Sequence, residues 1–324
     1  MKIVDTNPII SCIIPCYGSQ NTITNVVESL RHEFSQRIEY EYEIILVNDA
    51  SPDNVLDVIT SLAKDDSHIK VLDLAKNFGQ HAAIMAGMNH GQGDIFIFMD
   101  DDGQTPPSQM WKLIDAIDET CDVVFGRYES KRHSLWRNVG SRINDYMARI
   151  LIGKPKDLML SSYFACKSFV VQEIAMYRGC FPYLAGLVLR STKCMKNVTI
   201  EHKERAEGVS GYTARKLLML WLNGFTAFSV RPLRVAGVIG SVISATGFIY
   251  GIYIILRRLF IAPDTPLGWS STMAALLFIG GVIMIMLGMI GEYVGRIYMN
   301  INNAPQYVIR ERIGFDNDQK HKKD

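Results

Sequence analysis

Apolar runs rich in branched side chains recur at residues 9–14, 43–48, 69–74, 95–99 and 122–125, and polar segments with helical spacing lie between them. Runs of this length, bounded by turn signals, read as strands covered on both faces. In the first intervening segment Val26, Val27, Leu30 and Phe34 mark one stripe of a helix. Ser51 and Pro52 read as the N-cap and first-turn proline of the second helix. This alternation predicts βαβ units in an α/β fold, with a mainly parallel sheet and helices on both faces. Ligand groups in such a sheet gather beyond the carboxyl ends of the strands.

The pattern changes in the last third. Residues 235–256 and 271–290 are apolar and carry no charge, and each matches the ~20 residues needed to cross a bilayer as a helix. A two-helix transmembrane hairpin is therefore expected after a globular region. Within the globular region, residues 134–152 combine Arg137, Arg142 and Arg149 with apolar residues at helical spacing. That pattern suits a helix in a membrane interface, or a basic face packed on the domain itself. Leu217, Leu218, Trp221 and Phe225 suggest a second interfacial helix. The expected organisation is a globular domain over 1–212 (with the interfacial helix about 134–152), an amphipathic helix over 213–231, the hairpin over 232–299 and a tail over 300–324. Arg231 and Arg234 precede the first span, and Arg296, Arg310 and Arg312 follow the second. Both flanks then face the cytoplasm, although Arg257 and Arg258 between the spans oppose that orientation. No signal peptide is expected, since Asp5 precedes the first short run and Pro15 ends it. The expectation is a multi-pass protein of the inner membrane with its globular domain in the cytoplasm.

The 324 residues, 48% hydrophobic with formal net charge +1, suffice for a sizeable core. No nucleic-acid partner is expected. The six cysteines form no Cys-x-x-Cys pair and the seven histidines no His-x-x-x-His pair, so neither zinc nor a disulfide framework is implied.

Candidate chemistry lies at three strand ends: Pro15-Cys16-Tyr17, Asn48-Asp49-Ala50-Ser51, and Asp100-Asp101-Asp102 followed by Gly103 and the pair Pro106-Pro107. In extended backbone Asp100 and Asp102 project to one side while Asp101 points away. Paired carboxylates there suit Mg²⁺ or Mn²⁺, hard ions that retain waters and also bind phosphate oxygens. The alternative is an acidic turn capping a helix that begins near Pro107. No G-x-G-x-x-G follows the first strand, which argues against a dinucleotide-binding oxidoreductase.

Taken in order, these motifs resemble the family 2 glycosyltransferases of the GT-A fold, whose sheet is Rossmann-like, and among them the polyprenyl-phosphate glycosyltransferases. Further matching residues are Lys76-Asn77-Phe78-Gly79-Gln80-His81, Gln104, Arg205-x-x-Gly208-x-Ser210-x-Tyr212, and Gly291-Glu292-Tyr293-Val294-Gly295-Arg296. The resemblance implies transfer of one sugar, with inversion, from a nucleotide-diphosphate sugar, uridine being the expected base, to a polyprenyl (undecaprenyl) phosphate. It places Pro15, Tyr17, Asp49 and Ser51 around base and ribose, with Lys76, Gln104 and Ser210 also on the nucleotide sugar. Asp100 and Asp102 become the metal and diphosphate acids, and Arg205 joins them as the third catalytic residue. Arg127 and Arg132 are expected at the acceptor phosphate, and a homo-oligomer is compatible with the resemblance.

The chain departs from the family pattern at Gly18, at Gly211, and at Ser161-Ser162-Tyr163-Phe164, where close relatives often read Gly-Asp-Phe-Arg. These departures keep two alternatives open: a membrane-anchored, degenerate transferase acting as a binding or scaffold protein, and direct transfer onto a glycan.

Overall fold

The computed structural model describes residues 7–128, 149, 153–201, 231–260 and 268–315. The chain divides into two compact units, Met1–Leu217 with Asn303–Asp324, and Leu218–Asn302.

The first unit is built on eight strands: β1 (Ile9–Cys16), β2 (Glu41–Asn48), β3 (Ile69–Leu74), β4 (Ile95–Phe98), β5 (Val123–Tyr128), β6 (Phe164–Lys167), β7 (Met195–Ile200) and β8 (Ile309–Ile313). Their order across the sheet is β7-β5-β6-β4-β1-β2-β3-β8. The four central strands β4, β1, β2 and β3 are parallel, as the alternating pattern predicts. β6 then inserts antiparallel between β4 and β5, and β8 closes the other edge antiparallel to β3. Among the described residues the helices of this unit are α1 (Ile23–Ser35), α2 (Val55–Asp65), α3 (Gln80–Met88), α4 (Met110–Ile114), α5 (Ser168–Ala175) and α6 (Leu184–Ser191), and a 3₁₀ turn at Pro107–Gln109 leads into α4.

Strand alternation sets the layers. Ile10, Cys12 and Ile14 of β1 face the core cluster that includes Val27, Leu30 and Phe34 of α1. On the opposite face a Cβ at Gly87 of α3 would overlap Ile13 Cγ2, so that glycine lets α3 lie directly on β1. Each fully buried aliphatic side chain in these layers contributes about 1.5–3 kcal/mol. The helix spacing around Val26 to Phe34 and the helical start at Pro107 are borne out. Ser51 is not the cap of α2, which begins at Val55 after Asn54, because its hydroxyl is used elsewhere.

The stretch assigned from sequence to a tail also differs. Residues 309–313 form the edge strand, and Arg310 reaches the buried carboxylate of Asp73 (3.3 Å) and the carbonyl of Ala75 (2.9 Å).

The second unit contains α7 (Arg231–Phe260) and α8 (Trp269–Ile301), which include the two apolar stretches. Among the described residues one segment, Phe278–Ile301, is long and apolar enough to cross a membrane by length and composition. Phe248, Ile249 and Tyr250 on α7 and Phe278, Met284 and Ile285 on α8 are all exposed. Soluble monomers rarely leave so much contiguous apolar surface uncovered. In the 291–296 motif Arg296 pairs with Glu292 one turn earlier (2.7 Å).

Candidate active site

Four loops meet at the carboxyl ends of β1, β2, β3 and β4, and hydrogen bonds between them fix the site. Pro15 is buried in β1. After Cys16 the backbone turns through Gly18 (φ +72°), leaving the ring of Tyr17 54% exposed. A half-exposed aromatic at a strand end offers a surface on which a planar base can pack. The Gly18 N–H donates to Ser51 Oγ (2.8 Å), and the Ser51 hydroxyl donates to Asp53 Oδ1 (2.6 Å). Gln20 N–H donates to Asp53 Oδ2 (2.9 Å), and Asn54 N–H donates to Gln20 Oε1 (3.0 Å). Ser51 thus ties the β2 loop to the β1 loop, which is why it does not cap α2. Burial opposes ionisation of Asp53, but the Ser51 hydroxyl and the amides of Gln20 and Val55 outweigh it and hold the carboxyl below its ordinary range.

Asp49 is buried, and its two oxygens accept from the amides of Phe78 (2.7 Å) and Gly79 (2.8 Å). Burial raises its pKa while those amides resist the rise. The carboxylate therefore anchors the 76–80 loop, and any contact with a base would use its remaining lone pairs. The next residue, Ala50, has φ +48°, a left-handed conformation that costs a non-glycine residue about 1–2 kcal/mol. Strain of this kind persists where neighbouring bonds over-determine the backbone. Lys76 is exposed, with its ammonium 4.9 Å from the centre of the Phe78 ring.

The acidic triplet sits past the end of β4, with Asp101 and Asp102 in a turn that Gly103 completes at φ +67°. Asp100 Oδ1 accepts from Gln80 Nε2 (2.7 Å) and Oδ2 from the Ser162 hydroxyl (2.6 Å). Asp102 Oδ1 accepts from the Gln104 amide (3.1 Å). Asp101 points elsewhere and accepts the Tyr17 N–H (2.9 Å). Burial pushes its pKa up to about 6, the charge of Asp100 adding to the rise and the Tyr17 amide opposing it. The phenol of Tyr128 is raised first by burial, with the charges of Asp100 and Asp102 adding to the rise. Asp101 thus bonds the β1 loop, whereas Asp100 is held by Gln80 and Ser162. The cause is the turn rather than extended-strand alternation, since β4 ends at Phe98.

Among the described residues no three His, Cys, Asp or Glu side chains form a metal cage. Two carboxylates at a loop rim fit an ion that completes its shell with water and phosphate oxygens, the behaviour of Mg²⁺ and Mn²⁺. A cleft of about 560 Å³ opens beside this turn, lined in part by Thr22, Asn25, Val26, Asp102, Gly103 and Pro106.

Arg127 is exposed on β5. Arg132, Arg205, Ser210 and the expected interfacial helices, apart from Arg149 and Arg231, lie outside the described residues. Sequence reasoning missed Tyr128 and the bonding role of Asp101. Gln80 and Ser162 were visible only as members of motifs, with nothing local to show that both converge on Asp100.

Residues 11–178 match the family model described as Glycosyl transferase family 2, and residues 231–297 match that of the GtrB C-terminal hairpin. The chain is 33% identical over 315 residues to the undecaprenyl-phosphate 4-deoxy-4-formamido-L-arabinose transferase of Yersinia pestis (strain Pestoides F), covering 95% of this chain and 94% of that protein. The protein of the same name from Yersinia enterocolitica serotype O:8 / biotype 1B gives the same identity and coverage. Among solved structures, glucosyl-3-phosphoglycerate synthase from Mycobacterium tuberculosis, in complex with Mn²⁺ and uridine-diphosphate-glucose, superimposes with a TM-score of 0.50 at 14% identity over 68% of this chain and 77% of that one. That last likeness concerns the fold, whereas the relatives span nearly the whole length. The chain belongs to glycosyl transferase family 2 and is a glycosyltransferase of the GT-A fold with a C-terminal hairpin.

Proposed function

We propose that the protein transfers one sugar from a nucleotide-diphosphate sugar to a polyprenyl phosphate at the cytoplasmic face of the inner membrane, inverting the anomeric centre. The observation that carries this reading is the meeting of Gln80, from the loop after β3, and Ser162, just before β6, on Asp100 in the strand-end turn that also holds Asp102, in a chain that matches an undecaprenyl-phosphate transferase over 95% of its length. Uridine is the base we assign, as in the synthase complex of the same fold.

In this reading Tyr17 packs on the base, Ser51 and Asp49 hold the loops that frame it, and Lys76 and Gln104 lie along the donor. Asp100 and Asp102 would hold Mg²⁺ or Mn²⁺, which when bound neutralises charge on the departing diphosphate. Ser162 and Gln80 fix Asp100 by donating to its two oxygens, so the acid is oriented before donor arrives. Arg205 and Ser210 are assigned to the donor phosphates, and Arg127 and Arg132 to the acceptor phosphate, on the motif match and on charge. A phosphate monoester with a second pKa of ~6 is mostly dianionic at neutral pH. It therefore needs no general base to attack the anomeric carbon, in keeping with a hydroxyl rather than a carboxylate at Ser162.

The exposed apolar faces of α7 and α8 support membrane association, and the return of the chain into the sheet supports a hairpin. β7 precedes these helices, β8 follows them, and both are strands of one sheet. Helices between two points on one side of a bilayer must cross it an even number of times. Purified full-length protein with Mg²⁺ or Mn²⁺, given a panel of sugar nucleotides and undecaprenyl phosphate, is expected to form a lipid-linked sugar phosphate visible by mass spectrometry. Failure of every pair to release nucleoside diphosphate would refute the assignment.

A further inference from the structure

We propose that Asp101, the middle acid of the triplet, is a positioning residue that couples the base-binding loop to the diphosphate-binding turn. The inference rests on the donor reading given above. Asp101 holds the 17–22 loop at both ends. Its side chain accepts the Tyr17 N–H at the start of the loop (2.9 Å), and its backbone carbonyl accepts the Thr22 hydroxyl at the end (2.7 Å). Thr22 is the N-cap residue of α1, yet its hydroxyl makes no capping bond; besides Asp101 it reaches only the Ser19 carbonyl (3.3 Å) among the described residues. The buried hydroxyl of Ser19 lies beside the same carboxyl and favours its ionised form. The residues on either side of Asp101 are the two acids assigned to the metal and diphosphate. A turn set by those acids therefore fixes, through one intervening residue, where the exposed Tyr17 ring stands.

Any acid in this position could serve only to stabilise the fold, and the two roles differ in what they do to ligands. Uridine diphosphate engages both the turn and the base loop, whereas inorganic pyrophosphate engages the turn alone. The ratio of their affinities in the presence of Mn²⁺ measures the contribution of the base. Calorimetry on the full-length protein should show that Asp101→Ala lowers this ratio about tenfold, the size expected for loss of a hydrogen bond to a charged acceptor. Pyrophosphate affinity should fall less than twofold. Asp101→Asn keeps one oxygen that can accept from Tyr17 and should lie between wild type and Ala. Thr22→Val removes the other arm without touching the carboxyl, and should shift the ratio the same way even if Asp101→Ala does not fold. Equal losses for both ligands, or an unchanged ratio in the folded variants, would overturn the coupling. A wild-type protein that binds pyrophosphate but gains nothing from the base of any nucleoside diphosphate would refute the donor reading itself, and the coupling with it.

Discussion

His81 is half-buried at the start of α3, its Nδ1 is buried with no hydrogen-bond partner among the described residues, and its ring meets that of Tyr183 edge-on at 5.6 Å. Burial lowers its pKa from 6.5 to about 4. A histidine whose folded pKa is depressed contributes stability that is fully present above the unfolded value and is lost as pH falls toward the folded one. The window here runs from about pH 6.5 down to about pH 4. At ~1.36 kcal/mol per pH unit, the difference amounts to about 3 kcal/mol, most of which should be gone by pH 4.5. Other groups titrate over the same range. Asp101 acts in the opposite direction, because its raised pKa favours the folded state as pH falls from about 6 toward the ordinary carboxylate value. The comparison with His81→Leu removes these shared contributions. Urea unfolding of both proteins in one detergent, followed by intrinsic fluorescence, should show wild type losing roughly 2–3 kcal/mol relative to the variant between pH 7.5 and pH 4.5. At pH 7.5 the variant should be nearly as stable, since the leucine replaces an imidazole with an unpaired buried nitrogen. A stability difference that stays constant with pH would refute the buried neutral imidazole. A difference of opposite sign would show that the ring faces a buried anion.

Asp102→Asn should nearly abolish turnover while leaving the melting temperature within a few degrees, since it removes charge without changing side-chain volume; Ser162→Ala, which removes one of two donors to Asp100, should lower kcat by roughly tenfold. Initial rates and thermal unfolding measured together check both, and a Ser162→Ala loss as large as that of Asp102→Asn would contradict the supporting role given to the serine. Deleting residues 303–324 should destabilise the first unit by about 3 kcal/mol or more, because it leaves the buried Asp73 without Arg310 and uncovers β3. Soluble, fully stable protein after that deletion would show that the edge strand is dispensable.

The parallel core was legible because its strands are buried on both faces and therefore read as unbroken apolar runs. The strands that escaped notice lie toward the edges. β8 has only exposed and half-buried positions over Ile309–Ile313, and β7 has a single buried residue, Ile200. Neither produces an apolar run. β6 is four residues long, and its antiparallel place between β4 and β5 depends on contacts far apart in sequence. The rim acids could be located because strand ends set them. What each acid does was not legible. Ser51, Asp49 and Asp101 all bond to loops from other strands, and local spacing carries no record of such partners.

The late position of β8 has a consequence for synthesis. β3 ends at Leu74 and its edge partner begins at Ile309, with 234 residues between them. At about 5–20 residues per second, β3 waits roughly 12–50 s on the ribosome before that partner exists. Throughout this interval its outer edge is an unpaired row of amides and carbonyls, the template on which chains mispair. The sheet can be completed only after the whole hairpin has been made. The five residues of β8 thus govern whether strands made long before them stay out of aggregates.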